Sequence, residues 1–366
     1  MRLPPVGKVP LPHGSSAVDR LPSVSHHLEQ GFKRLQALFV PKRFKNALPP
    51  AYAHEDVAPA IPASLVKAEV EALPADQVLV CSGRFRVQYA RATQIPWCLQ
   101  ELGRLREISF RAAGEGTGRA SDIDLFDAHY LHLFVWDVEA QAIVGAYRLG
   151  LTDEILSRYG RRGLYTQSLF KYGTRTLQSM NPAIELGRSF VCSEYQRSYA
   201  PLMLLWRGIG RFVECGPRYA ILFGAVSISN SYDPASRRLI VEYLRANTVE
   251  AELARHVKPR RRFVHHRARL DQVARPKDID ELSQLVARIE PDAKGVPVLL
   301  RQYLKLGGRL LGFSSDAQFS NTLDGLMRVD LRHSDPRVLE RYMGAAGASA
   351  FLAYHRTEAV SLRRAS

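Results

Sequence analysis

Short apolar or alternating segments recur from residue 78 onward, each bounded by turn residues, and this pattern predicts β-strands. The predicted strands cover residues 78–90 with a kink at Gly83, 130–137, 142–150, 183–192, 219–228, 308–313 and 323–331. Apolar positions at helical spacing predict helices at residues 63–73, 96–112, 201–215, 234–245, 279–289 and 298–306. Only a short polar turn separates the segments 130–137 and 142–150, which indicates an antiparallel hairpin. A hairpin followed by alternating strands and helices predicts a three-layer α/β domain with a mixed central sheet.

Proline density sets the amino-terminal region apart. Ten of the 21 prolines fall within residues 1–62, a density that cannot sustain long helices or strands. Residues 28–40 form the one periodic segment there and predict a short amphipathic helix that either packs on the main domain or lies on an anionic membrane. We therefore predict four parts, namely a Pro-rich leader at 1–64, one domain at 65–355, a basic irregular insertion within it at 255–295, and a basic tail at 356–366.

Composition and charge narrow the classes of partner. The 366 residues include 51 Lys and Arg against 36 Asp and Glu, a net charge of +15, with 46% hydrophobic residues. This is a globular composition, and the charge indicates an acidic partner: nucleic acid, a membrane surface or an acidic protein. No apolar run approaches the length of a membrane span, and the Pro-rich start shows no secretory signal. The four cysteines have no paired short spacing, so we expect a reduced, cytoplasmic chain.

Several common catalytic motifs are absent from the sequence. The glycines at 114–118 are not followed by GK[ST] and lack the G-x-G-x-x-G spacing, so this segment is either a loop over an active site or a turn. No G-x-S-x-G segment supports a serine nucleophile. The pair His265 and His266 has no further ligands at metal-binding spacing, and we expect no metal.

Charged residues in apolar surroundings are the most informative feature. Asp122, Asp124 and Asp127 lie just before the predicted hairpin, while Glu185 and Arg188 lie within a predicted strand. The acids fit a helix amino terminus or an anionic pocket for a cationic substrate. Buried charges of this kind are either paired in structural ion pairs or gathered in a shared polar site, and the sequence leaves both alternatives open.

These residues also carry a family resemblance. The motifs are R-x-x-x-F (Arg106, Phe110), D-x-D-x-F-D from 122, H-L-F-V-x-D from 132, V-G-A-Y-R-L from 144 and E-L-G-R-S-F-V from 185. Together with L-L-W-R-G-I, L-F-G-A-V-S and P-V-L-L-R-Q-Y-L-K-L-G, they resemble the hemolysin-like acyltransferases, the ornithine-lipid N-acyltransferases of the GNAT superfamily, over roughly residues 78–335. The framework is also similar to acyl-homoserine-lactone synthases, although the Trp usual after the Phe is missing here.

The resemblance implies a GNAT-like fold and an N-acyltransferase. It would move a long-chain (3-hydroxy)acyl group to the α-amine of an amino acid, here ornithine, in membrane lipid synthesis. Two alternatives remain open. One is a synthase of N-acyl amino acids or homoserine-lactone-type signals with another acceptor, and the other is a non-enzymatic basic module that associates with membranes or nucleic acid.

The same resemblance, together with the chemistry of amine acylation, implies a role for each of these residues. Glu185, Asp124 and Asp127 form the catalytic set, with Glu185 as amine-side base or anchor and the two aspartates on the cationic amino acid. Arg148 and Arg188 would pair with these acids or hold the substrate carboxylate. The full substrate-binding set is Arg106, Phe110, Asp122, Arg148, Arg188 and Ser227.

The donor is expected to be an acyl carrier protein rather than acyl-CoA. The glycines of the usual GNAT pyrophosphate loop are absent between residues 193 and 201. The donor's pantetheine would lie along Ser193, Arg197 and Ser198, with no resident cofactor. The acidic carrier and the anionic inner face of the cytoplasmic membrane would then account for the basic charge, and nucleic acid becomes the least favoured partner.

Overall fold

The computed structural model describes residues 55–263, 276–316, 319 and 322–365, with side chains described up to residue 357. The predicted amphipathic helix at 28–40 and the histidine pair at 265–266 lie outside these residues. The described residues belong to one compact unit by their contacts.

An eight-stranded mixed sheet occupies the centre of the domain. Its strand order is β1-β2-β3-β4-β6-β7-β10-β9, and every neighbouring pair is antiparallel except β6 and β7. The strands, with the two-stranded β5–β8 sheet included, are β1 Val78–Ser82, β2 Phe85–Arg91, β3 Leu131–Asp137, β4 Ala142–Leu151, β5 Phe170–Tyr172, β6 Ala183–Val191, β7 Ile221–Ile228, β8 Val257–Pro259, β9 Arg309–Asp316 and β10 Thr322–Asp330.

Helices cover both faces of this sheet. They are α1 Ala63–Glu71, α2 Pro96–Ala112, α3 Thr152–Tyr159, α4 Thr174–Met180, α5 Ala200–Cys215, α6 Pro234–Asn247, α7 Ala251–Ala254, α8 Ile279–Ile289, α9 Val298–Lys305 and α10 Pro336–Ala365. The last of these is broken at Gly344, whose backbone is non-helical. Within the described ranges, no helix combines the length and the apolar character needed to cross a membrane.

The burial of β3 shows the three layers directly. All seven of its residues are buried. Leu133 and Val135 point into the core shared with α5 and α10, whereas Phe134 and Trp136 pack in the core beneath α1 and α2. Because successive side chains of a strand point to opposite faces, a strand buried throughout must lie between two helical layers. The predicted three-layer α/β fold with a mixed sheet is confirmed.

Two glycines allow α5 to pack closely on its neighbours. A Cβ at Gly208 would lie 2.5 Å from Val87 Cγ1, and one at Gly210 would lie 2.7 Å from the Tyr342 carbonyl oxygen. The helix therefore approaches the sheet at one glycine and α10 at the other. These glycines serve packing in the described structure.

The structure corrects one sequence prediction and adds two features that were not predicted. The expected kink at Gly83 is a hairpin turn, where φ of +55° at Gly83 reverses the chain between β1 and β2. The helix α10 was not predicted, although its Tyr342 and Phe351 are buried against α5. The β5–β8 pair was also missed, because strands of three residues are too short to show periodicity.

Candidate active site

The central parallel pair of strands separates after a short contact. Pairing of β6 with β7 ends at Glu185 opposite Phe223, yet the strands continue to Val191 and Ile228. A cavity of about 80 Å³ lies in the gap, lined by residues of both strands and of surrounding elements. These residues include Phe110, Glu115, Tyr147, Tyr165, Arg188, Ser227, Tyr303, Asp316, Phe319 and Asp324.

Arg106 holds two of the predicted aspartates, Asp122 and Asp127, which do not line the cavity themselves. Its guanidinium donates to both carboxylate oxygens of Asp127, at 2.8 and 3.0 Å, and to the main-chain oxygen of Asp122. All three residues are buried. Bidentate pairing of this kind fixes the geometry of a buried carboxylate as well as neutralising it.

Arg148 and Arg188 complete the network. Arg148 Nη1 lies 2.6 Å from Asp124 Oδ1, while Arg188 lies 2.9 Å from Asp122 and 3.0 Å from Asp124. Three arginines therefore face three aspartates in what we call the arginine–aspartate network (Arg106, Asp122, Asp124, Asp127, Arg148 and Arg188). The sequence left open whether these charges form structural ion pairs or a shared polar site. The geometry shows ion pairs, and Arg188 connects them with the cavity wall.

Local backbone chemistry explains why the aspartates gather here. Asp124 caps a short 3-10 helix at Leu125–Ala128, accepting a hydrogen bond from the Phe126 N–H, and Asp127 accepts one from the Asp124 N–H. Burial would raise the pKa of Asp127, but Arg106 and Arg148 hold it well below the ordinary value. Both the cap and the ion pairs therefore keep these carboxylates ionised.

Glu185 lies outside the cavity wall. Its carboxylate accepts hydrogen bonds from the Tyr130 hydroxyl and from the Thr166 N–H, the latter at 2.6 Å, and it is 1% exposed. The Tyr130 hydroxyl in turn accepts a hydrogen bond from the Tyr165 N–H. Glu185 thus holds residues 165 and 166 in place. Burial raises its pKa even though these hydrogen bonds act in the opposite direction.

Glu185 positions Tyr165 through the Tyr130 hydroxyl and the neighbouring Thr166. Its ring lies 5.3 Å from the Arg148 guanidinium and 4.8 Å from that of Arg188, and its hydroxyl donates to Asp316 at 2.9 Å. Cation–π contact with two buried arginines fixes the ring between the arginine–aspartate network and the cavity.

Three further carboxyls line the cavity, and we call them the cavity acids (Glu115, Asp316 and Asp324). Glu115 accepts a hydrogen bond from Ser227 Oγ at 2.8 Å. Asp324 is paired across the sheet with Ser227, so both side chains lie on the same face. Burial raises the pKa of Asp324 well above its ordinary value, with Asp316 and Glu115 adding to the effect, and burial likewise raises that of Glu115.

The glycine-containing loop at 114–118 contributes to this wall. Glu107 accepts hydrogen bonds from the Thr117 N–H and hydroxyl and from the Gly118 N–H. This anchored turn carries Glu115 into the cavity, so the loop is a turn that lines the candidate site.

The predicted donor residues lie apart from the cavity wall. Ser193, Arg197 and Ser198 are exposed, in the segment between β6 and the amino terminus of α5. None of them lines the cavity. Within the described residues, no cluster of His, Cys, Asp or Glu has the arrangement of a metal site.

The structure thus divides the predicted site residues into three groups. Phe110, Arg188 and Ser227 line the cavity. The remainder of the arginine–aspartate network and Glu185 lie outside the lining and contact residues of the wall. Ser193, Arg197 and Ser198 lie apart from it. Sequence reasoning missed the cavity acids and Tyr165. A signal was present at Asp324, because a lone carboxylate between Leu323 and Gly325 in an apolar strand is as unusual as Glu185.

Comparison with known proteins agrees with this architecture. Residues 105–207 match the family model described as Acetyltransferase (GNAT) domain. Over these residues the GNAT-type domain expected from the motifs is confirmed, in keeping with the α/β fold and mixed sheet described above.

Two curated relatives carry the name glycine N(alpha)-acyltransferase. The protein from Phocaeicola vulgatus is 40% identical over 160 residues, or 41% of this chain and 49% of that protein. The protein from Bacteroides thetaiotaomicron is 39% identical over 168 residues, or 43% of this chain and 50% of that protein. The chain therefore spans about half the length of the curated relatives it matches.

Solved structures of a CoA-dependent acyl-homoserine lactone synthase, BjaI, also align with the chain. Complexes with SAM and isopentyl-CoA and with MTA each cover 72% of this chain and 97% of theirs, at 14% identity and a TM-score of 0.35. A similarity this low supports no inference about the site.

Proposed function

We propose that this chain is an N-acyltransferase that transfers a long-chain (3-hydroxy)acyl group from an acyl carrier protein to the α-amine of an amino acid. The observation that carries the proposal is the cavity where β6 and β7 separate, lined by Arg188, Phe110, Ser227 and the cavity acids. Such a pocket suits a small charged acceptor. The GNAT domain match and the names of the two relatives support the reaction class.

The acceptor proposed first is ornithine, in the synthesis of a membrane lipid. Among the described residues, the cavity wall holds three carboxyls and one arginine, and Arg188 is already paired with Asp122 and Asp124. An excess of carboxyl groups in the wall favours an acceptor that carries a second positive charge, as the side chain of ornithine does. Glycine is the second candidate, because both relatives are named for it.

Catalysis would rest on positioning more than on covalent chemistry. The amine must lose a proton and attack the thioester carbonyl, and the unpaired edges of β6 and β7 can present main-chain N–H groups to the oxyanion. Of the two roles predicted for Glu185, we propose that of anchor, since its carboxylate holds Tyr130 and Thr166. Asp124 and Asp127 would act by orienting Arg148 and Arg188.

The donor would approach the amino-terminal end of α5. The exposed segment with Ser193, Arg197 and Ser198 precedes that helix, which begins at Ala200. Free N–H groups at a helix start suit the phosphate of a pantetheine arm. The excess of basic residues would receive the acidic carrier and allow peripheral contact with the anionic inner face of the cytoplasmic membrane.

Transfer to a panel of acceptors tests the proposal. Purified protein is incubated with a 3-hydroxyacyl carrier protein and, separately, ornithine, glycine and the other amino acids, and the products are identified by mass spectrometry. We expect an N-acyl product with ornithine or glycine, and loss of about 10²-fold or more in Glu185→Gln because Tyr165 loses its support.

A matched control uses Glu252→Gln, since the Glu252 side chain is 79% exposed and, among the described residues, pairs with Arg255. It should retain wild-type transfer. Absence of an N-acyl product from every amino acid, with both the acyl carrier protein and the acyl-CoA as donor, would refute the proposed function.

A further inference from the structure

The cavity acids reach one space from three different parts of the chain. Glu115 comes from the turn after α2, Asp316 from the end of β9 and Asp324 from β10. The register of β10 with β7 places Asp324 opposite Ser227, whose hydroxyl donates to Glu115. Their convergence therefore depends on tertiary structure.

Asp324 has the least satisfied carboxylate of the three. It is 5% exposed, it lines the cavity, and it accepts no hydrogen bond from the described residues. By contrast, Glu115 accepts from Ser227, and Asp316 accepts from the Tyr165 hydroxyl. A buried carboxylate without a partner is costly, which indicates that its partner is a molecule that enters the cavity.

Tyr147 provides a second, independent observation on the same wall. Its hydroxyl is buried, faces the cavity and has no hydrogen-bond partner in the described part of the chain. Burial raises the pKa of Tyr147, whereas the nearby Ser189 acts to lower it. A buried hydroxyl and a carboxylate that accepts no hydrogen bond from the described residues, both lining one cavity, suit a polar ligand that can donate and accept hydrogen bonds.

We propose that Asp324, with Glu115 and Asp316 beside it, binds the ammonium group of the acceptor and accepts the proton that its nitrogen loses before acylation. This inference rests on the proposed N-acyl transfer and adds the residue that activates the amine. The ligand class is a primary ammonium, R–NH₃⁺, whose positive charge offsets the carboxyl groups of the wall.

Asp324 takes one proton from R–NH₃⁺ and becomes a neutral carboxylic acid, leaving R–NH₂. The nitrogen lone pair forms the C–N bond at the thioester carbonyl, and the C–S bond breaks with its electron pair on sulfur. The second proton leaves nitrogen for that thiolate, which yields the amide and the free thiol, and Asp324 returns its proton to water.

The charges around Asp324 favour this role. Asp316 and Glu115 face it as like charges, and Arg188 is the opposing cation. Burial and these two acids raise the pKa of Asp324, whereas the charge of Arg188 lowers it. A base is most effective when its pKa approaches the working pH. We therefore expect amine binding to strengthen as pH rises through the titration of Asp324.

Binding without an acyl donor tests the proposal separately from transfer. Calorimetry on the full chain compares ornithine, glycine and glycolate, which replaces the glycine amine with a hydroxyl. We expect Asp324→Asn to weaken binding of the amines by about tenfold or more, while glycolate binding changes by less than about twofold. Glu252→Gln serves as the control and should match the wild type.

The outcomes separate the two proposals. If the wild type binds neither ornithine nor glycine, or if folded Asp324→Asn and Glu115→Gln both bind them within about twofold of wild type, the ammonium site is wrong. Transfer by the wild type decides the proposed function independently. Where transfer occurs, Asp324→Asn should lower kcat/KM by about 10²-fold or more and remove the acid limb of its pH profile. A purely structural role would leave that limb in place.

Discussion

Arg188 connects the arginine–aspartate network with the cavity. Its backbone has φ of 51°, unusual for a residue other than glycine, next to an irregularity in the β4–β6 pairing between Ala146 and Arg148. This turn of the strand directs its guanidinium to Asp122 and Asp124 and against the Tyr165 and Phe319 rings. A conformation that costs about 1–3 kcal/mol persists because several contacts require it.

At the same scale, Asp324 should make stability depend on pH. Its folded pKa lies well above the ordinary value, so the folded protein retains a proton that the unfolded chain releases. Stability must therefore fall as pH rises from about 4 through the folded pKa, by about 1.4 kcal/mol for each unit between the two values. We expect Asp324→Asn to be more stable than the wild type at pH 8 and to lose that advantage toward pH 4.

Chemical denaturation of both proteins across this pH range measures the effect. Glu252→Gln provides the control, because the exposed Glu252 should leave the pH profile unchanged. Parallel profiles for wild type and Asp324→Asn would show that Asp324 titrates normally.

Only part of the site could be predicted from individual residues. Asp124, Arg148 and Glu185 stand out because each is a charge within an apolar pattern. The cavity acids were missed because they belong together only through the register of β7 with β10, in which Ser227 faces Asp324. Spacing along a chain does not determine which distant strands pair.

At the scale of elements, α5 depends on the close approach at Gly208. An alanine there would gain about 1 kcal/mol in helix propensity, but its Cβ would meet Val87 Cγ1 at 2.5 Å. Overpacking a buried contact costs about 1–3 kcal/mol, so we expect Gly208→Ala to lower the free energy of unfolding.

Urea or thermal unfolding measures this change. The neighbouring exposed Arg207 offers a matched control, since Arg207→Ala should stay within about 0.5 kcal/mol of the wild type. A Gly208→Ala protein more stable than the wild type would mean that helix propensity outweighs the contact with the sheet.

Element prediction succeeded where periodicity was long and failed where it was short or disguised. The segment that forms β3 was recognised as a strand because it is a short, largely apolar segment that a polar turn ends. The helix α10 contains many small residues and a break at Gly344, so its apolar face is diluted and gave no clear periodicity. The turn at Gly83 reads as a kink because the residues on either side of it are both strand-like.

At the scale of the whole molecule, the charge of +15 should govern the encounter with an acidic donor. Salt screens such long-range attraction, with a Debye length of about 10 Å at 0.1 M. We expect kcat/KM with the acyl carrier protein to fall severalfold between about 0.05 and 0.5 M NaCl. The measurement is a series of initial rates at fixed acceptor concentration.

A small neutral donor serves as the comparison for that series. An acyl-N-acetylcysteamine thioester has no charge to be steered, so its rate should vary little with salt. Equal salt dependence for the two donors would place the effect within the active site and argue against a docked acidic carrier.

The order of these elements along the chain has an evolutionary consequence. The arginine–aspartate network is complete by residue 188, whereas Asp316 and Asp324 come from the β9–β10 hairpin more than a hundred residues later. Under the proposed ammonium site, mutations or recombination confined to that hairpin would alter which amine is accepted while the residues of the arginine–aspartate network stay unchanged. Selection on the acceptor would then act on this hairpin without requiring changes in the arginine–aspartate network at residues 106–188.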